Sequence, residues 1–331
     1  MAPVDPDASP RVSTGTLPRQ QEVQGIVSDA YDYARGAAEG EIAAYIPRLA
    51  DVDPELFGLS VARVDGPVYE VGDAAVPFSI QSISKAFVYA LVCERLGHDA
   101  VRERVGVNNT GLPFNSVVAI ELNDGHPMNP MVNAGAIATT ALLPASDPEA
   151  RWAQISEGLS AFAGRRLELD GEVYSSEAHT NERNRAIALL LESYGRIDAD
   201  ALAAVDVYTR QCSLLVTSTD LAVMGATLAN GGTNPMTGAR VVSTEVARDT
   251  LAVLASTGLY ERSGEWLFEI GLPGKSGVSG GIVTVSPGKG AIGVFSPRLD
   301  SAGNSVRGQI ATRYLSRALG LDVFASEVFS L

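Results

Sequence analysis

The sequence predicts an α+β protein: an antiparallel sheet flanked by terminal helices, with an inserted, mainly helical lobe. Three observations predict it. LSVARVDGPVYEVGD alternates about an Asp65–Gly66 turn, as a β-hairpin does. GGIVTVS and GAIGVFSP, joined by Pro287–Gly288, read as a second strand pair near the other end of the chain. Between these pairs, from about 97 to 242, apolar residues recur mostly at helical spacing, and loops rich in Asn, Gly and Pro break the runs.

The elements follow in order. Residues 1–20 are rich in Pro, Ser and Asp, and are expected to form a flexible tail. They lack the charged start and apolar centre of a signal peptide. EVQGIVSDAYDYARGAAEGEIAAYIPRLA has helical spacing, broken over Gly36–Gly40 and near Pro47. A helix is expected from Ser82 to Leu96, stopped by Gly97, and a last one near Ser305 to Leu319. One lobe should hold about 21–96 plus 243–331 and the other about 97–242, with a cleft between them.

Composition narrows function. The formal charge of −14, without a basic patch, argues against nucleic acid and anionic membranes. No apolar run approaches the roughly 18 residues of a membrane span. Cys93 and Cys212 lie in apolar helical contexts, which suggests reduced thiols and a cytoplasmic location. His98, His126 and His179 share no ligand spacing, so no metal is expected.

Lysine use points to chemistry. Lys85, Lys275 and Lys289 are the only lysines, against 22 arginines. Arginine keeps its proton, whereas a buried lysine can act as a neutral amine. Within FSIQSISKAF, Ser82 and Lys85 stand at i and i+3, neighbours on one helical face. A desolvated amine there can take the hydroxyl proton and make serine a nucleophile. Alone the pair reads equally well as a helix cap and a charge. It gains force from Lys275-Ser276-Gly277 directly before the late strand, because S-x-x-K with a late K-[ST]-G is the signature pair of penicillin-recognising serine enzymes. Their third element, S-x-N or Y-x-N, is missing, which argues against a β-lactamase or transpeptidase. Ser286-Pro-Gly-Lys289 repeats S-x-x-K in a turn, where the facing geometry fails. Gly277-Val278-Ser279-Gly280-Gly281 fits the G-x-S-x-G elbow, but it leads into a strand and no histidine follows it. Gly274-Lys275-Ser276 has Glu269 where a P-loop needs glycine.

The segments AAYIPRLADVDPELFG, VPFSIQSISKAF, GLPFNS, NPMVNAGAI, SSEAHTNERNRAIA, DVYTRQCSLLVTSTDLAVMGATLANGG, STGLYERSGEW and GLPGKSGVSGGI resemble those of the serine-dependent glutaminases, in order, from about residue 22 onward. The chain is similar to the short bacterial form, without ankyrin repeats. The resemblance implies a β-lactamase/transpeptidase-like fold over 21–331, and hydrolysis of L-glutamine to L-glutamate and ammonia without a cofactor. It implies Ser82 as nucleophile, Lys85 as its base and Tyr260 as the proton donor to ammonia. It further implies oxyanion donors at the Ser82 and Val278 N–H groups, substrate contacts from Tyr45, Asn133, Glu177, Asn184 and Tyr208, and a homo-oligomer, dimer or tetramer. Gln81, beside the nucleophile, is a further expected contact, and Lys275 is expected to set the field near Ser82. The rival readings are a serine amidase acting on asparagine or a lactam, and a non-catalytic amino-acid sensor.

Overall fold

The structure is a computed structural model that describes residues 17–325, apart from positions 18, 45 and 199. Most of the expected tail therefore lies outside the described residues. Helix α1 (Gln20–Ala34) buries Val23, Ile26, Val27 and Ala30, the stripe its spacing foretells, and a short 3-10 turn spans Pro47–Asp51. The first hairpin is β1 (Gly58–Arg63) with β2 (Val68–Gly72). Then come β3 (Phe78–Ser79), a 3-10 turn Gln81–Ile83 and α2 (Ser84–Leu96), which ends at Gly97.

The helical region holds α3 (His98–Arg102), α4 (Val118–Glu121), α5 (Asn133–Leu142), α6 (Pro148–Ala163), α7 (Gly171–Ala178), α8 (Glu182–Ser193), α9 (Ala201–Cys212) and α10 (Ser218–Ala229). Two short strands interrupt it, β4 (Glu168–Leu169) and β5 (Leu214–Val216), and pair antiparallel with β3 in the order β3-β5-β4. Helices α11 (Thr244–Thr257) and α12 (Ser263–Ile270) lead to β6 (Gly274–Ser276), β7 (Gly281–Ser286), β8 (Gly290–Phe295) and α13 (Val306–Leu319).

The main sheet runs β2-β1-β8-β7-β6, with every neighbour antiparallel, so the two ends of the chain build one sheet. The expected late pair gains a third strand, β6. Its three residues open on a glycine and are too few to show alternation.

Alternate side chains of the strands enter different cores. Ile282, Ile292 and Val294 join α1 and α13 on one face. Val283, Val285, Ala291 and Phe295 join α2, α6, α10 and α11 on the other. Helix α10 can lie against β8 because glycine stands at both contacts. A Cβ on Gly293 would be 2.0 Å from the Ser218 carbonyl oxygen, and one on Gly225 would be 2.6 Å from Ala291. A third core joins α5, α8 and α9. Among the described residues no helix is long and apolar enough to cross a membrane, and Cys93 and Cys212 are free and buried.

Candidate active site

Regular α-helix begins at Ser84, two residues later than the sequence suggests, and Ser82 lies in the preceding 3-10 turn. That turn opens on Gln81 in the left-handed region, at φ 49°. Side chains three apart eclipse in a 3-10 turn, so the i, i+3 relation of Ser82 to Lys85 survives. Ser84 faces elsewhere: its hydroxyl donates to the Gln81 carbonyl at 2.8 Å and accepts from the Gln211 amide at 3.4 Å.

The Lys85 amine is buried and donates to the Met131 carbonyl at 3.1 Å and to Asn133 Oδ1 at 2.7 Å. Asn133 Nδ2 donates in turn to Asn184 Oδ1 at 2.8 Å. The amine also lies 5.9 Å from the centre of the Tyr208 ring and 5.8 Å from that of Phe114. Burial holds Lys85 down to about 8, and Cys212 and Glu177 pull it partly back. Its partners are a carbonyl and an amide, so no contacting carboxylate fixes the proton in place.

Glu177, on α7, is buried and accepts from Gln81 Nε2 at 3.4 Å. Burial pushes its carboxyl up to about 7, against the opposing pull of the Gln81 hydrogen bond and the Lys85 charge. Burial also drives the Tyr208 phenol well above its ordinary value.

Tyr260 occupies the left-handed region at φ 56°, in a 3-10 turn between α11 and α12. Its hydroxyl donates to the Ser276 carbonyl at 3.1 Å. Burial raises its pKa first, and the neighbouring Ser82 hydroxyl lowers it in part. Lys275 Nζ stands 4.4 Å from the centre of the Tyr260 ring, and donates to the Ser276 carbonyl at 2.7 Å and the Gly258 carbonyl at 3.0 Å. Burial, then the neighbouring Lys85 charge, pushes Lys275 well below the ordinary lysine value.

Val278 packs with Ala43, Leu299 and Tyr260 at the β6–β7 junction. That junction presses on the 3-10 turn: a Cβ on Gly277 would lie 3.0 Å from the Ile80 carbonyl oxygen, and one on Gly281 2.7 Å from the Phe78 ring. Among the described residues neither the Ser82 nor the Val278 N–H has a hydrogen-bond partner.

The structure thus gathers Gln81, Ser82, Lys85, Asn133, Glu177, Asn184, Tyr208, Tyr260 and Val278. Tyr45 lies outside the described residues. In two of the competing motifs, the buried Ser279 hydroxyl has no partner among the described residues, and Lys289 Nζ donates to the Gly320 carbonyl at 2.8 Å, at the end of α13. No group of three His, Cys, Asp or Glu among the described residues could hold a metal ion. Sequence reasoning took one residue from NPMVNAGAI, Asn133, and missed Asn129 and the Met131 carbonyl beside it. Phe114, tilted against Tyr260 with ring centres 4.9 Å apart, was also missed. All three lie inside the segments quoted above, but packing and carbonyl contacts leave no mark of their own in residue type.

Comparison with known proteins gives one answer. A family model described as Glutaminase matches residues 40–324. The chain is 51% identical to Glutaminase 2 of Yersinia pestis over 319 residues, covering 96% of this chain and 94% of the relative. It is 50% identical to the glutaminase of Colwellia psychrerythraea, covering 93% of this chain and 99% of that one. Among solved structures it is similar to the probable glutaminase ybaS, at 47% identity and TM-score 0.92, covering 93% of this chain and 99% of that chain. It is also similar to a probable glutaminase of Bacillus subtilis, at 30% identity and TM-score 0.83, covering 92% and 97%. The fold is accordingly the β-lactamase-like one expected, and the chain belongs to the glutaminase family.

Proposed function

We propose that the chain hydrolyses L-glutamine to L-glutamate and ammonia through an acyl-enzyme on Ser82. Family membership supports the reaction. The observation that carries the mechanism is the Lys85 amine, three residues on from Ser82, buried and held among neutral partners.

Neutral Lys85 takes the Ser82 proton as Oγ attacks the side-chain amide carbon. The oxyanion that forms is received by the Ser82 and Val278 N–H groups, which have no hydrogen-bond partner among the described residues. Tyr260, kept protonated by burial, passes a proton to the departing nitrogen, and the Lys85 ammonium restores it. Water then attacks the ester, giving its proton to Lys85, which passes it to Ser82 Oγ as the C–O bond breaks and glutamate leaves. Ionised Glu177 pairs with the substrate ammonium, which would otherwise lose its solvation unpaired. Asn133, Asn184, Tyr208 and Gln81 supply neutral hydrogen bonds to the rest of the amino acid. Two buried free thiols fit a reducing cytoplasm, where this activity is placed.

Ammonia release from L-glutamine and L-asparagine tests the proposal. Ser82→Ala should lose about 10³-fold or more in kcat, Ser279→Ala should keep its rate, and glutamine should be preferred. Full activity in Ser82→Ala removes the mechanism. Preference for asparagine, or no ammonia from either, favours the other-amidase or the sensor reading.

A further inference from the structure

Resting on the reading of Lys85 as base, we infer that Asn129 is a positioning residue for the Lys85 amine, acting through the turn that carries the Met131 carbonyl and Asn133.

Asn129 is almost wholly buried, at 2% exposure, and both polar atoms of its side chain have partners. Its Oδ1 accepts from the Met131 N–H at 3.0 Å and the Val132 N–H at 3.2 Å, and its Nδ2 donates to the Asn108 carbonyl at 2.7 Å. One side chain therefore closes the 129–132 turn and ties it to the 108 loop. The turn is pinned twice more. The Asn133 N–H donates to the Phe114 carbonyl at 2.8 Å, and α5 passes so near the Asn129 carbonyl that a Cβ on Gly135 would be 1.9 Å from its oxygen. What this turn delivers is two acceptors on one amine, the Met131 carbonyl and Asn133 Oδ1.

A neutral amine has two N–H bonds and one lone pair. When both N–H bonds are engaged by fixed acceptors, the lone pair has one direction left, and rotation of Nζ no longer spreads it. The acceptors also favour the ammonium form by hydrogen bonding. A loosened turn should thus have two consequences: a misdirected lone pair and an amine that loses its proton more readily. Asn129 faces the turn and not Lys85, so its effect is indirect, and it differs from that of a substrate contact.

The test is the pH profile of kcat, with KM, for wild type, Asn129→Ala and Asn129→Ser, beside Lys85→Arg. In Asn129→Ala, kcat should fall at least about tenfold while KM changes less than about threefold. The midpoint of the alkaline rise should move to lower pH by about half a unit or more. Asn129→Ser keeps a shorter acceptor and should show the same displacement in smaller measure, which decides the matter if the alanine variant does not fold. A stable variant that changes only KM, or loses rate with the midpoint unmoved, overturns the inference. If Lys85→Arg keeps the wild-type rate and profile, the base reading itself fails. An inactive Lys85→Arg with unmoved Asn129 midpoints refutes this inference alone.

Discussion

Glu177 shows what a single buried residue contributes and costs. Its folded-state carboxyl titrates near 7 against 4.5 for the free group, so the folded chain binds the extra proton between those values. Stability tied to this group is therefore lost as pH rises from about 4.5 to 7, at most about 3 kcal/mol by linkage. Glu177→Gln should raise the melting temperature at pH 8 and leave it unchanged at pH 4, and should cut kcat/KM for glutamine at pH 8, where wild type carries the anion. Calorimetry at the two pH values checks this, and equal effects at both would remove burial of the charge as the cause. Lys85 makes the complementary prediction. With its amine held to about 8, wild-type kcat should climb with pH through that value, and below 7 the loss of the Glu177 anion should steepen the fall in kcat/KM. Such residues were legible by type and motif. Their tuning was not, because desolvation depends on what packs around a group. Gln81 and Tyr260, two non-glycine residues with left-handed φ, both belong to the proposed site. Strain of this kind costs about 1–3 kcal/mol per residue, and neither residue type announces it.

Between elements, the close approach of α10 to β8 sets the sheet's inner face. Gly293→Ala would drive its Cβ to 2.0 Å from the Ser218 carbonyl oxygen, which has no flexible end to give way. Denaturant unfolding should show a loss of about 3 kcal/mol or more, at the upper end for overpacking, and a loss under 0.5 kcal/mol would mean the helix shifts freely. The helices and hairpins with clean periodicity were readable, as α1 and the β1–β2 pair show. The two- and three-residue strands β3, β4 and β5 were not, since each pairs only with partners distant in the chain, and neither was β6, whose three residues are too few to show alternation although it pairs with the neighbouring β7. Met131-Val132-Asn133 gives the Lys85 amine two acceptors, a methionine carbonyl and an asparagine side chain. A search by side-chain type could not see the first, because every residue has a carbonyl.

For the whole molecule, the two ends of the chain form one sheet and the helical middle brings acceptors and Glu177 to it. Ser82 and Lys85 come from one strand-to-helix junction, Tyr260 and Val278 from the late part of the chain, and Asn133, Glu177, Asn184 and Tyr208 from the middle. A ligand touching all three should resist global unfolding. L-glutamate at 100 times its Kd should stabilise the fold by about 2.7 kcal/mol, seen as a rise in melting temperature that Glu177→Gln diminishes. The homo-oligomer proposed by family analogy predicts a mass above 34.6 kDa by light scattering. The most direct test of the central claim is acid-quenched peptide mass spectrometry during glutamine turnover. The account predicts one glutamyl group on the peptide bearing Ser82, absent in Ser82→Ala. A glutamyl group on the peptide bearing Ser279, or full turnover by Ser82→Ala, would contradict it.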